Sequence, residues 1–381
     1  MRLLTISGFA AAVICAGLAA AYSNGLMQLI LAGYPPAVWP ASGSFEIVAG
    51  APQPHAARAP GTRLDRRGRE LFANSGSRAL LAMRGGQLLL ETYADGIGPG
   101  TRLNSYSLVK SLVGALVLKA VSEGKITSLE DPVGSYLAGF GPEVFRGRPI
   151  RSFLEMRSGL EFEEDGADKQ NRLAAYNPFG NLARLHAGGL SAVEGQLAVL
   201  PQNRDGFSYQ NVNTAVLGRL LSEVYRQPLH DILAQKIWQP AGAAEAFWLR
   251  HGEASEVTAY CCLFATPRDW IGVGRFLMEN GSRAEPFLRD DLWQEFFGSG
   301  LGRQDLVDGS YGLHVRHNIL DRQGQALQGP FTYMMGQGGQ IVYIMPEKDL
   351  VVVRFGEQHS LLHSTLYSAW NSLTAGNVSA Q

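Results

Sequence analysis

The sequence predicts a mixed α/β (α+β) chain, with one discontinuous α/β part and a helical part inserted in it. Three observations carry that reading. Strand-like segments lie near both ends, at Ala79–Met83 and Gln87–Tyr93, then at Gly312–Leu320, Gln340–Met345 and Leu350–Phe355. Residues from about Asp131 to Leu233 between them read as helices and long loops. Leu108, Val109, Leu112, Val113, Leu116, Val117, Ala120 and Val121 are apolar on more than one stripe, the pattern of a buried helix.

Taken in order, residues 1–33 form an apolar leader. Leu3 to Tyr22 is a continuous run of apolar and small residues behind one arginine, about as long as a membrane span. It reads as an uncleaved anchor or as a signal peptide, since Ala19-Ala20-Ala21 offers a cleavage site. Either reading takes the remaining chain out of the cytoplasm, to the periplasmic side of the cell envelope, because the short positive N-terminus stays inside. Residues 34–60, rich in Pro, Ala and Gly, read as a linker, and 61–378 as the folded domain. Arg63, Arg66, Arg67 and Arg69 read as a solvated linker or helix face.

Arg84-Gly85-Gly86 marks a hairpin, and Gly124 the end of the buried helix. Thr266-Pro267 reads as a capped helix start with proline at the first position, and Asn280-Gly281 as the end of that helix. Pro346 to Asp349 joins the last two strands, and Leu361–Leu373 is a closing helix.

With 381 residues, 46% of them hydrophobic, the chain can bury a large core, and a net charge of −1 argues against a nucleic-acid partner. Three cysteines, two of them adjacent at Cys261 and Cys262, make neither a disulfide framework nor a zinc pattern. His314-Val315-Arg316-His317 lacks acidic company, so both histidines read as structural or exposed and no metal site is expected. No G-x-S-x-G elbow is present.

The chemistry lies in three short segments. Ser107-Leu108-Val109-Lys110 is an S-x-x-K tetrad at the head of the buried helix, and three residues along a helix is nearly one turn. Burial there favours a neutral lysine amine, a general base beside a nucleophile. Tyr209 and Asn211 lead into an amphipathic helix, with Asn213 as its expected cap. A phenol beside a lysine can shuttle a proton. Gly336-Gln337-Gly338-Gly339-Gln340 runs into a strand, where glycines admit a ligand to the backbone and a free N–H can hold an oxyanion. Each segment alone also fits a structural role: a solvated helix start, a core tyrosine, a plain glycine turn.

Together and in this order, the three segments resemble the serine β-lactamase and penicillin-binding-protein superfamily. The resemblance is nearest to its class C β-lactamase-like branch, which includes esterases, D-aminopeptidases and 6-aminohexanoate-dimer hydrolases. Glu123 to Val133, Leu154-Glu155-Met156-Arg157-Ser158-Gly159-Leu160, Glu164-Asp165 and Phe207-Ser208-Tyr209 also look like that branch. The resemblance implies a β-lactamase/transpeptidase-like fold, with an antiparallel sheet flanked by helices and a helical subdomain beside it. It implies a serine hydrolase acting on a small ester or amide without metal or cofactor, with Ser107 as nucleophile, Lys110 as base and Tyr209 as proton shuttle. Asn211, Gln337, Gly339 and Gln340 become candidates for substrate and oxyanion contacts, with the N–H groups of Ser107 and Gln340 as the oxyanion donors. One departure bears on substrate. Gln337 stands where lactamases and peptidases of the superfamily usually carry Lys or His, so the motif offers a carboxylate no charge. Uncharged esters or amides are therefore expected to be better substrates than β-lactams. The other readings are a β-lactamase or DD-peptidase, and a non-catalytic envelope-binding protein of the same fold.

Overall fold

The structure, a computed structural model, describes residues 11–19, 36–53, 63–160, 162, 181–197, 206–251, 256–282, 284–320, 329–358 and 362–378. Its strands are β1 (Phe45–Val48), β2 (Ser77–Arg84), β3 (Gln87–Tyr93), β4 (Leu103–Asn104), β5 (Ala246–Leu249), β6 (Leu263–Ala265), β7 (Ser310–Gly312), β8 (Val315–Leu320), β9 (Gly329–Gly336), β10 (Gln340–Met345) and β11 (Leu350–Gly356). The helices that position the site are α1 (Arg66–Asn74), α2 (Lys110–Ser122), α3 (Asn211–Tyr225), α4 (Pro267–Met278) and α5 (Leu362–Val378).

Seven strands make the main sheet, in the order β3–β2–β11–β10–β9–β8–β7, and β1–β5–β6–β4 make a smaller one. All pairings are antiparallel. β2 pairs with β11, so the two ends of the chain close one sheet around the helical insertion. Every residue of β10 is buried, because both faces of the sheet are covered. The two-residue alternation of a strand divides them. Val342 and Ile344 join the large core containing α2, α3 and α4, while Ile341, Tyr343 and Met345 pack under Leu366, Ala369 and Trp370 of α5. Burial of each such aliphatic side chain contributes about 1.5–3 kcal/mol.

The local signals hold. Gly85 and Gly86, with φ of 58° and 70°, turn β2 into β3. Thr266 caps α4 through a reciprocal capping box with Asp269. Gly124, at φ 69°, follows α2, and Lys125 N donates back to Ala120 O at 2.9 Å.

Two expectations change. Gly312–Leu320 is not one strand: β7 and β8 form a tight hairpin turning at Leu313 and His314, both left-handed at φ 52° and 63°. Within the expected linker, β1 pairs with β5, and Trp39 stacks on Phe247 with ring centroids 4.4 Å apart. Aromatic and β-branched residues near 38–48 override the Pro/Gly bias there. Of the expected leader, residues 11–19 are helical and exposed, and the rest of Leu3–Tyr22 lies outside the described residues. Among the described residues no helix is long and apolar enough to cross a membrane.

Candidate active site

Ser107 lies in a single 3₁₀ turn, Tyr106–Val109, which runs directly into α2. Tyr106 enters that turn in the left-handed region, at φ 45°. Such a conformation costs about 1–3 kcal/mol and needs support. Asn104 Oδ1 accepts from Tyr106 N at 2.9 Å, and Ser105 Oγ accepts from Leu263 N at 3.0 Å. Ser105 N donates to Leu263 O at 2.9 Å. The nucleophile turn is thus clamped to β6 on one side and to buried α2 on the other.

Lys110 is 2% exposed at the head of α2. Its Nζ lies 2.9 Å from Ser107 Oγ, 2.7 Å from Asn211 Oδ1 and 2.8 Å from the Tyr260 carbonyl. An amide oxygen and a carbonyl can only accept, so these two partners take two of the lysine hydrogens. In a neutral amine the remaining lone pair then faces Ser107 Oγ, as a base needs. In an ammonium the third hydrogen fills the same direction. The geometry therefore serves both ends of one proton transfer without moving a heavy atom.

Tyr209 and Asn211 come from the chain entering α3. Asn211 is the first residue of that helix, and its side chain reaches Lys110. The Tyr209 ring centroid is 5.0 Å from Lys110 Nζ, within cation–π range. Asn213 is not the cap. The helix begins two residues earlier with Gln210 at the cap position, and Asn213 is buried, its Oδ1 accepting from Ser158 Oγ at 2.6 Å. Ser158 belongs to the Leu154–Leu160 segment, which packs behind α3. Glu164 and Asp165 lie outside the described residues.

The glycine segment divides between two roles. Met335, Gly336 and Gln337 line a cavity of about 190 Å³ together with Ser107, Lys110, Tyr209, Tyr311, Arg316 and Tyr333. Gln340 and Gly339 do not line it. Gln340 Nε2 donates to Gln337 O at 2.9 Å and to Gly356 O at 2.8 Å, and its Oε1 accepts from Gly356 N at 2.9 Å. The strand alternation that turns this side chain inward makes it a brace for the loop. Arg354, fully buried, adds a bond from Nη1 to Gly339 O at 2.7 Å, and burial lowers its pKa. The Gln340 side chain is thus turned away from the cavity, which Gln337 lines.

The hairpin between β7 and β8 closes the cavity from the other side. His314 is buried, and desolvation lowers its pKa to about 3, so its ring is neutral. Its Nδ1 is 2.9 Å from Leu154 O, which can only accept, so Nδ1 carries the hydrogen. Nε2 then accepts from Thr214 Oγ1 at 3.0 Å. Ser111 Oγ donates to His314 O at 2.6 Å. One histidine thereby ties the hairpin to α2, to α3 and to the end of the short helix Ile150–Leu154. Gly114 makes room for this contact: a Cβ there would meet Leu313 O at 2.6 Å. His317 is also buried, with Nδ1 3.0 Å from Thr332 Oγ1, so both histidines are structural.

Three contributors went unmarked in the sequence. Tyr260 acts through its backbone carbonyl, which no side-chain motif reports. Tyr311 and Arg316 become visible only once β7 and β8 are placed beside the nucleophile turn. Cys261 and Cys262, adjacent to Tyr260, are joined to each other by a disulfide. Cys262 N donates to Tyr106 O at 3.3 Å, so this pair abuts the nucleophile turn.

The chain is similar in sequence and in fold to known proteins. The family model described as beta-lactamase matches residues 70–363. A 6-aminohexanoate-dimer hydrolase from Paenarthrobacter ureafaciens is 24% identical over 282 residues, 72% of this chain and 71% of that protein. Among solved structures, a Bacillus anthracis protein provisionally named as a 6-aminohexanoate-dimer hydrolase superposes with a TM-score of 0.69 at 20% identity, covering 88% of this chain and 92% of its own. The hydrolase EstCE1, described as having promiscuous acyltransferase activity, superposes with a TM-score of 0.61 at 15% identity, covering 81% and 97%.

Proposed function

The chain belongs to the beta-lactamase family of serine hydrolases, and on that premise we propose that it cleaves an ester or amide bond through an acyl-enzyme on Ser107. The observation that carries the mechanism is the disposition of Lys110 Nζ, 2.9 Å from Ser107 Oγ with its other two contacts made to obligate acceptors. Ser107 Oγ attacks the carbonyl carbon while Lys110 takes the hydroxyl proton. The backbone N–H groups of Ser107 and Gln337 hold the oxygen as it gains charge. Gln337 replaces Gln340 in that role because it lies in the cavity and Gln340 does not. As the tetrahedral intermediate collapses, Tyr209 delivers the proton to the leaving group. Water then attacks the acyl carbon with Tyr209 and Lys110 as the base pair, and Ser107 is restored. Asn211 and the Tyr260 carbonyl keep the lysine aimed. The name of the 24%-identical relative supports a linear amide as one substrate class.

A β-lactamase or DD-peptidase is the second reading, supported by the family and opposed by Gln337 at the place of a cation. Incubation with a fluorophosphonate, short esters, a penicillin and a linear amide dimer separates the readings. Labelling at Ser107, with turnover of esters or amides that disappears in Ser107→Ala, is the expected result. Substantial turnover by a clean Ser107→Ala sample places the nucleophile elsewhere. Failure of the fluorophosphonate to label favours a non-catalytic protein.

We also propose that the site faces the periplasmic side of the envelope, on the strength of the uncharged run from Leu3 to Tyr22. The full chain is then expected with membranes. A mature N-terminus near Tyr22 in a soluble envelope fraction would indicate a cleaved signal instead.

A further inference from the structure

Besides Lys110, the cavity beside Ser107 has a second cationic wall. Arg316 lies on β8, cross-strand from Tyr311 on β7 and from Tyr333 on β9, and all three side chains line the cavity. The guanidinium carbon is 5.1 Å from the Tyr311 ring centroid. That ring lies edge-on to Tyr209, with centroids 6.2 Å apart, and Tyr209 in turn lies 5.0 Å from Lys110 Nζ. One aromatic ring thus separates Arg316 from the proton-transfer group.

Among the described residues, none that lines the cavity is acidic. Among the described residues Arg316 makes no ion pair, whereas Arg66, Arg78, Arg151, Arg219, Arg250, Arg268, Arg275 and Arg289 do. Neither tyrosine supplies the missing charge, since burial raises the pKa of both Tyr311 and Tyr333 and keeps them neutral. The strand that carries the guanidinium is anchored as well. It begins immediately after Leu313 and His314, and His314 is anchored to Leu154 and Thr214. A planar fork of donors stacked on an aromatic ring, in a cavity with no acidic lining among the described residues, is suited to bind a carboxylate in two-point fashion.

We propose that Arg316 is a specificity-determining residue that binds a carboxylate carried by the substrate, supplying from β8 the charge that Gln337 does not supply from β9. The proposal rests on Ser107 as the nucleophile of this cavity. It reverses the preference for uncharged substrates expected from Gln337 alone, because the sequence motif does not report a cation contributed by a neighbouring strand.

The test uses the full chain and two substrate pairs. One compares the mono-p-nitrophenyl ester of glutarate with p-nitrophenyl butyrate, placing the carboxylate on the acyl side. The other compares an N-acylated amino acid with its carboxamide, placing it on the leaving side. In the unmodified protein, kcat/KM favours the anionic member of at least one pair. Arg316→Gln lowers that anionic-to-neutral ratio by roughly 10- to 100-fold, mainly through KM, the size expected for a hydrogen bond to a charged group. Arg316→Lys restores part of the ratio. An anionic-to-neutral ratio that Arg316→Gln leaves unchanged in both pairs overturns the proposal. If Arg316→Gln does not fold, competition on the unmodified protein decides: glutarate inhibits butyrate-ester turnover more strongly than glutaramide does, and equal inhibition overturns the proposal. Failure of the unmodified protein to hydrolyse any member, neutral or anionic, instead overturns the serine-hydrolase reading itself.

Discussion

A Cβ built on Gly336 would stand 2.2 Å from the carbonyl oxygen of Ser105 and 3.1 Å from Leu108 N. The end of β9 therefore rests directly on the backbone of the nucleophile turn, with no side chain between them. This contact sets the distance between Ser107 and the Gln337 backbone, the two groups proposed to share one oxyanion. Any residue larger than glycine must push the strand or the turn aside.

Gly336→Ala is accordingly expected to lower kcat/KM by at least tenfold, since displacing catalytic groups by about an ångström is costly. The accompanying overpacking should cost about 1–3 kcal/mol of stability. Ester kinetics with a parallel urea titration check both. Unimpaired kinetics in a Gly336→Ala protein would show that the strand end does not position the site.

Lys110→Ala and Tyr209→Phe are each expected to reduce kcat by orders of magnitude, and the double variant to lose little more than the worse single one. The two groups serve one proton path, and members of such a unit are not additive. A double-mutant cycle on a p-nitrophenyl ester measures this. Losses that multiply in full would assign the two residues to separate steps.

Stability should fall as the pH is lowered from about 6.5 toward 5. Desolvation lowers the pKa of half-buried His186 and buried His314 to about 3 and that of His317 to about 4, and it lowers that of buried His251 as well. Their ordinary value is about 6.5. Below it the unfolded chain takes up protons that the folded chain does not, so the stabilisation present above pH 6.5 is lost as pH falls toward the folded values. Each such histidine contributes up to about 1.4 kcal/mol per pH unit. Urea midpoints at pH 7, 6 and 5 test the slope above the range where carboxylates titrate. A flat profile would mean that these histidines are not held neutral.

The peptide carrying Cys261 and Cys262 should be lighter by a pair of hydrogens before reduction than after it, because the two sulfurs are bonded to each other. Mass spectrometry of a digest prepared with and without reductant reads this directly. Two alkylated thiols in the unreduced digest would remove the disulfide.

Local chemistry was legible in the sequence wherever it depended on near neighbours. The spacing of Ser107 and Lys110 puts their side chains on one face of a turn, and Nζ lies 2.9 Å from Oγ. Gly85-Gly86, Gly124 and Thr266-Pro267 marked their turn, helix end and cap, because each answers to backbone torsions within a few residues. Gln340–Met345 and Leu350–Phe355 read as strands, and the structure places both as nearly continuous apolar, fully buried strands whose successive side chains divide between the two cores. Tertiary packing decided what those neighbours could not. Asn213 has the composition of a cap but lies within α3, where Ser158 satisfies it. Gln340 has the position of an oxyanion donor in the motif, yet its side chain turns inward to hold Gly356 and the loop carbonyl of Gln337. The Tyr260 carbonyl, 150 residues along the chain from Lys110, carries no side-chain signal at all. Nor does Arg316, whose charge reaches the cavity only because the strained turn at Leu313 and His314 lays β8 between β7 and β9. A sequence motif reports residues that share a turn or a strand; the electrostatics of a cleft also include whatever the sheet order brings to its rim.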